Sequence, residues 1–132
     1  MKLLRRLLEI QATLWGLTGV LLLLAPRWTT ESLLGQGPVG DAAWLRLAGV
    51  MSLVLAMLMV LVQQHLDDVW WWSWAFAVLE AGVATVCVLH ASFGVPAGAS
   101  AWGWWLLGAV SGALGAGLLL AIGYAGQEKP FA

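Results

Sequence analysis

Charged residues are scarce in this sequence. Only 10% of its 132 residues are Asp, Glu, Lys or Arg, whereas 61% are hydrophobic and the mean hydropathy is +0.87. A soluble domain carries roughly 25% charged residues, so this chain lacks the groups that cover a water-exposed surface. The sequence therefore predicts a protein whose solvent is the lipid bilayer. The net charge of −1 also provides no basic face for nucleic acid.

Cysteine and the motifs of common enzymes are also largely missing. The single cysteine, Cys87, excludes a disulfide within the chain. The sequence has no Gly-rich phosphate loop, HExxH, GxSxG or CxxC motif, and the HLDD stretch at 65–68 lacks a fourth metal ligand at a useful spacing. We therefore expect no enzymatic activity, no metal and no cofactor. His65 and His90 cannot share a haem, because they end two spans on opposite sides of the membrane, about 30 Å apart.

Long apolar runs take the place of charge. A bilayer core takes roughly 20 helical residues to cross, and segments of that length lie at 3–25, 43–63, 69–90 and 102–124. Polar and turn-forming stretches separate them. The sequence therefore predicts an all-α polytopic membrane protein, with one domain over 1–132. We expect a compact antiparallel bundle of four transmembrane helices.

Residues that cap helices stand near the expected helix ends. Asp41, Asp68 and Ser100 precede the second, third and fourth spans, where their side-chain oxygens can accept hydrogen bonds from free backbone N–H groups. In the first loop, Thr30 can cap a short helix over 31–34. We expect that helix to lie at the membrane interface.

Basic residues indicate the orientation, because Lys and Arg are enriched in cytoplasmic loops. With the N-terminus inside, four basic residues are cytoplasmic and two lie at the outer side: Lys2, Arg5, Arg6 and Lys129 against Arg27 and Arg46. We predict a multi-pass protein of the cell membrane with both termini in the cytoplasm.

Ten tryptophans are present, and all but Trp15 fall near the ends of predicted spans. The indole ring is apolar and its N–H needs a polar partner, so tryptophan prefers the headgroup level. We interpret nine of them as interfacial anchors rather than as a platform for a stacked ligand: Trp28, Trp44, Trp70, Trp71, Trp72, Trp74, Trp102, Trp104 and Trp105.

One carboxylate, Glu80, stands in the middle of the third span. A charged side chain costs about 2.5–3.5 kcal/mol at the centre of a membrane helix, so it needs a partner, a proton or a function. Arg46 in the second span is the predicted partner, because its long side chain can extend towards Glu80. The alternative is a hydroxyl such as Thr13 or Ser52, with Glu80 protonated because burial disfavours the charged form.

Small residues recur on one face of each span. They let helices approach closely, and on the third span the small-residue stripe includes Glu80, which is therefore expected to face the bundle interior. The predicted packing residues are Ala77 and Ala84 on the third span, Gly108, Gly112 and Gly115 on the fourth, Ala48 and Ser52 on the second, and Gly16 on the first.

The layout resembles the DoxX-like group of small bacterial four-helix membrane proteins, many of unknown function. The specific residues that carry the likeness are RLAG, Arg46 to Gly49, at the start of the second span, after a first span that ends in LLLLAPRW. The small multidrug-resistance transporters also have four spans and one essential membrane glutamate. Their glutamate belongs to the first helix, whereas Glu80 belongs to the third.

Two functions remain as hypotheses. The first is a non-catalytic accessory or scaffold subunit of a membrane assembly, with lipid and other membrane subunits or further copies of the chain as partners. The second is a proton-coupled carrier, or a binder of small lipophilic molecules, which uses Glu80 as its intramembrane carboxylate, with Arg46 as the other candidate functional polar residue. A haem or quinone redox subunit has the least support.

Overall fold

The structure is a computed structural model that describes residues 1–128, and every regular element in that range is helical. Its long helices are α1 (Lys2–Leu24), α2 (Ala43–Gln64), α4 (Ser73–Leu89) and α5 (Trp102–Glu128), and α3 (Leu66–Val69) is a single turn. A 3-10 turn (Trp70–Trp72) joins α3 to α4, and π-helical turns occupy Trp28–Leu33 and His90–Gly94. Lys129, used above to predict the orientation, lies outside the described residues.

Four helical stretches are long and apolar enough to cross a membrane: Lys2–Leu24, Ala43–Gln64, Leu66–Gly94 and Trp102–Glu128. They coincide with the four predicted segments, so the all-helical class with four long apolar helices is confirmed. The third stretch exceeds the predicted 69–90 at both ends, because α3 and a π-helical turn extend α4. The fourth continues past residue 124. Hydropathy does not mark these ends, because a helix can continue through short irregular turns beyond its apolar run.

Two of the three predicted acceptors receive a hydrogen bond from a backbone N–H group at the start of a helix, and the N-cap position of α2 itself is Ala42. The Oδ1 atom of Asp41 accepts a hydrogen bond from the Ala43 N–H (2.9 Å), and the Ser100 hydroxyl accepts one from the Trp102 N–H (3.4 Å). The prediction for Asp68 is wrong, because the chain becomes helical again at Leu66 and Asp68 lies inside α3.

A short helix occurs in the first loop, as predicted, but its bounds differ. It is a π-helical turn that begins at Trp28 and contains Thr30, whose hydroxyl donates back to the Pro26 carbonyl (2.9 Å) instead of capping the turn. Gly35 follows with φ at +64°, a conformation that glycine adopts at little cost.

The long helices pack most closely as two pairs, α1 with α2 and α4 with α5, and a smaller contact between α1 and α5 joins the pairs. Fully buried side chains of α1, α2 and α5 fill the space between them, among them Leu8, Met59 and Leu118. Within the described chain, α4 therefore meets α1 mainly through long side chains and not through close backbone contact.

Two glycines allow the close approach of α1 and α2. A Cβ atom added to Gly49 would lie 2.9 Å from both the Gly19 carbonyl oxygen and the Leu23 nitrogen, and one added to Gly19 would lie 2.8 Å from the Gly49 carbonyl oxygen. Real Cβ atoms do not approach backbone this closely, so each helix fits only because the other lacks a side chain at the crossing.

Candidate functional site around Glu80

Glu80 lies in the core of the bundle, with only 1% of its side chain exposed. It shares its face of α4 with Ser73, Ala77 and Cys87, which are also buried, whereas Val78 on another face is 65% exposed. The recurrence of buried residues every three or four positions is that of one helix face. The local sequence therefore aims the carboxyl group at the other helices.

Two side chains of α1 donate hydrogen bonds to this carboxyl group. The amide Nε2 of Gln11 lies 2.8 Å from Glu80 Oε1, and the indole Nε1 of Trp15 lies 2.7 Å from the same oxygen. The Gln11 amide also donates, at 3.5 Å, to the backbone carbonyl of Phe76. Gln11 and Trp15 are four residues apart, which places them one above the other on one face of α1. The polar core is therefore a connection between α1 and α4.

Arg46, the partner predicted from the sequence, is not part of this site. Its side chain is exposed and lines a pocket near the start of α2. Among residues 1–128, the one ion pair joins the Met1 ammonium group to Glu128 at 2.8 Å. Thr13 and Ser52, the alternative partners, donate instead to carbonyls of their own helices. Neutral donors thus take the place of the expected cation.

Two buried polar atoms near this region have no hydrogen-bond partner in the part of the chain that the structure describes. They are the Gln11 Oε1 atom and the Ser73 hydroxyl, and both side chains are fully buried. An unsatisfied buried polar group costs about 1–3 kcal/mol. The Gln11 Oε1 atom therefore keeps an unused acceptor position beside Glu80.

The glycines of α5 shape the other side of the site. A Cβ on Gly115 would lie 3.4 Å from the Glu80 Cβ, and one on Gly108 would lie 3.1 Å from a methyl group of Val88. Gly112 is less restricted, since its nearest neighbour, the Ala84 Cβ, would be 3.9 Å away. The small residues of α5 thus bring that helix directly onto the face of α4 that carries Glu80.

The small residues predicted on α1 and α2 divide into two groups. A Cβ added to Gly16 would lie 3.8 Å from the Ala56 Cβ, and Ser52 is buried. Ala48 is exposed, and the glycine next to it, Gly49, occupies the helix crossing. The predicted small-residue stripe of α2 begins at Ala48. It therefore lies one position away from Gly49, where α2 makes its close backbone contact with α1.

Seven of the nine predicted anchor tryptophans have exposed rings, and two do not. Trp70 is buried and Trp104 is partly buried. The Trp104 indole N–H donates to Gln36 Oε1 at 2.9 Å, and its ring lies 4.4 Å from that of His90, centroid to centroid. Gln36 also donates to the Ser100 carbonyl (2.9 Å), so this cluster ties the first and third loops together.

Gln11 and Trp15 are the site residues that the sequence reasoning missed. Both were conspicuous, because Gln11 interrupts an apolar run and Trp15 lies far from either predicted interface. Their spacing of four residues put them on one helix face, which was the available signal. No group of three His, Cys, Asp or Glu side chains within 1–128 is arranged to hold a metal ion. In comparisons with known proteins, the chain matches no family model, no curated protein and no solved structure.

Proposed function

We propose that the chain is a non-catalytic integral membrane protein that serves as an accessory or scaffold subunit of a membrane assembly. In this proposal its four long helices cross the cell membrane as an antiparallel bundle with both termini in the cytoplasm. The tryptophans near the helix ends lie at the headgroup level. Its partners are lipid and other membrane subunits, or further copies of the same chain.

The main support is the internal engagement of Glu80. A carboxyl group that binds a transported ligand must be reachable from a cavity, and two donors of α1 already occupy its Oε1 atom. The pockets at the two ends of the bundle, one beside Arg46 and one beside Tyr124, are lined by other residues. A group placed in this way is suited to fixing helix register, which is how buried polar side chains act between membrane helices.

The outer surface provides further support. The side chains of Met57 on α2, Val86 on α4 and Leu120 on α5 are all more than 60% exposed. Large exposed apolar side chains of this kind, present on all three helices, suit lipid or partner helices and not water. The likeness to the DoxX-like group remains part of the proposal, and Gly49 gives its RLAG stretch a structural role at the α1–α2 crossing.

The second candidate function is a proton-coupled carrier or a binder of small lipophilic molecules that works through Glu80. The observation in its favour is the unpartnered Gln11 Oε1 atom beside the carboxyl group. A donor delivered by a ligand would satisfy this oxygen. The candidate requires an opening between α1 and α4, so that the ligand can reach the core.

Crosslinking in intact cells, followed by purification in mild detergent, tests the subunit role. We expect a stoichiometric complex that contains this chain. Gly82 is exposed, and a Cβ there would meet no atom within 4 Å, so Gly82→Leu should keep the fold while weakening any partner contact on that face of α4. Val54→Leu on α2 is the matched apolar control.

Recovery of the chain only as an uncrosslinked monomer would contradict the subunit proposal. Proton flux in proteoliposomes tests the carrier alternative separately. If the subunit proposal is correct, Glu80→Gln should leave proton flux at the wild-type level. If proton flux is measurable for the wild type and disappears in this variant, the carrier function is the correct one.

A further inference from the structure

A pocket of about 500 Å³ opens between the end of α1 and the start of α2. Its walls are the residues 24–28, which leave α1, the residues 40–43, which enter α2, and the side chain of Arg46. This volume falls within the usual range of small-ligand sites, roughly 300–1,000 Å³. The lining of this pocket includes neither Glu80 nor its hydrogen-bond donors Gln11 and Trp15.

Positive charge dominates the lining. Arg27 and Arg46 both contribute to it, and neither forms an ion pair with any residue in 1–128. Arg27 makes a single long hydrogen bond, 3.4 Å, to the Gly40 carbonyl, which leaves most of its five N–H donors free. The lone acidic residue of the lining, Asp41, uses its Oδ1 atom to cap α2 through the Ala43 N–H.

Glu31, four residues after Arg27 in the sequence, does not line the pocket. Glu31 Oε1 accepts a hydrogen bond from the Val39 backbone N–H at 2.8 Å. Both carboxylates keep their negative charge, but each is hydrogen-bonded to a backbone N–H group and neither forms an ion pair with Arg27 or Arg46. Two guanidinium groups against one carboxylate leave the pocket with an excess of positive charge.

Apolar side chains continue from the pocket onto the outer surface. Leu24 lines the pocket and is 75% exposed, and Trp28 lines it and is 54% exposed. Leu24 is the last residue of α1 and Trp28 begins the turn that follows it, where a bilayer would change from hydrocarbon to headgroups. A molecule with an anionic head and an apolar tail fits this combination better than a small hydrophilic anion does.

We propose that this pocket binds the phosphate of an anionic phospholipid, with Arg27 and Arg46 as the two ligands of the headgroup. The guanidinium group forms paired, charge-assisted hydrogen bonds with phosphate oxygens. Leu24 and Trp28 contact the upper part of the acyl chains. The inference rests on membrane insertion of the bundle but not on its role as a subunit.

Native mass spectrometry of the detergent-purified protein, titrated with phosphatidylglycerol, tests this site. Phosphatidylcholine and inorganic phosphate serve as separate arms. We expect one phosphatidylglycerol to be retained in preference to phosphatidylcholine, with no retention of inorganic phosphate. The variant Arg27→Gln/Arg46→Gln should bind phosphatidylglycerol at least about tenfold more weakly, because it removes the charge-assisted hydrogen bonds to the phosphate.

The pair Arg5→Gln/Arg6→Gln is the matched control, because it removes the same charge from exposed positions on α1 outside the pocket. It should retain wild-type affinity. Equal weakening by the control pair, equal binding of phosphatidylcholine, or full competition by inorganic phosphate would each overturn the proposal. Circular dichroism of both double variants should show wild-type helicity, so that lost binding reports on the site. Crosslinking to partner subunits is independent of all these outcomes, and failure here leaves the proposed function standing.

Discussion

The indole N–H of Trp15 on α1 donates a hydrogen bond to Glu80 Oε1 on α4 over 2.7 Å. Together with the bond from Gln11, it links the α1–α2 pair to the α4–α5 pair, which otherwise meet mainly through α1 and α5. The hydrogen bonds thus join α1 and α4, two helices that make few backbone contacts with each other. A carboxyl group that looks isolated in the sequence is the acceptor for both donors.

Replacing Glu80 separates its acceptor role from its charge. Glu80→Ala leaves the Gln11 and Trp15 donors buried without an acceptor, and should lower the free energy of unfolding by about 1–3 kcal/mol. Glu80→Gln retains one carbonyl oxygen as an acceptor and should lower the free energy of unfolding by less than about 1 kcal/mol. Unfolding in detergent followed by circular dichroism measures both. Thr85→Ala, on an exposed part of α4, is the control and should change little. Equal losses for the Gln and Ala variants would show that charge, not acceptance, stabilises the core.

A double-mutant cycle tests the Trp15–Glu80 hydrogen bond directly. Trp15→Phe keeps an aromatic ring and removes the donor, so its effect and that of Glu80→Ala should be non-additive by about 0.5–1.5 kcal/mol. Arg46→Ala and Glu80→Ala should be additive within about 0.5 kcal/mol, because Arg46 is exposed and lies elsewhere. Coupling of Glu80 to Arg46 and not to Trp15 would contradict this arrangement and support the ion pair expected from the sequence.

The α1–α2 crossing should be intolerant of any added side chain. Gly49→Ala forces a Cβ to within 2.9 Å of backbone atoms of α1, and overpacking of this kind costs about 1–3 kcal/mol. Gly82→Ala is the matched control, since no atom lies within 4 Å of the added Cβ and alanine raises helix propensity. Thermal unfolding should therefore show a lower Tm for the first variant and an unchanged or higher Tm for the second. Equal Tm values would mean that the helices are not in close contact at Gly49.

One substitution should disconnect the first loop from the third, which are joined through Gln36, Ser100 and Trp104. Gln36→Ala removes the bonds to the Leu34 and Ser100 carbonyls and leaves the Trp104 N–H without its acceptor. Hydrogen exchange of the amides at 34–36 and 99–100 should become about tenfold faster, with α1 to α5 unaffected. Gln64→Ala, an exposed glutamine at the end of α2, should leave loop exchange unchanged. Faster exchange throughout the helices would instead indicate global destabilisation.

Composition and hydropathy determined the coarse fold. Few charges and four runs of about 20 apolar residues are enough to predict four long helices, because apolar length and helical hydrogen bonding are properties of each segment by itself. The helix ends were less predictable. Asp68 resembled a cap, yet it lies inside α3, since local capping chemistry does not decide whether the preceding turn is already helical.

Helical periodicity also indicated which face of α4 carries Glu80, because the angle between residues on one helix is fixed. It could not identify the partner. Arg46 was the expected partner because of its charge and its long side chain, whereas α4 packs on α5 and Glu80 receives its donors from α1. Charge complementarity carries no information on which helices are adjacent.

The sequence by itself therefore determined how many long helices form, roughly where they begin and end, and that one of them carries a buried carboxyl group. The tertiary structure decided the pairing of helices, the contact of Gly19 with Gly49, and the assignment of Gln11 and Trp15 to Glu80. The physical reason is that helix formation and hydropathy act along the chain, whereas packing depends on shape across it. A hydrogen bond between residues 15 and 80 exists only once several helices have found one mutual arrangement.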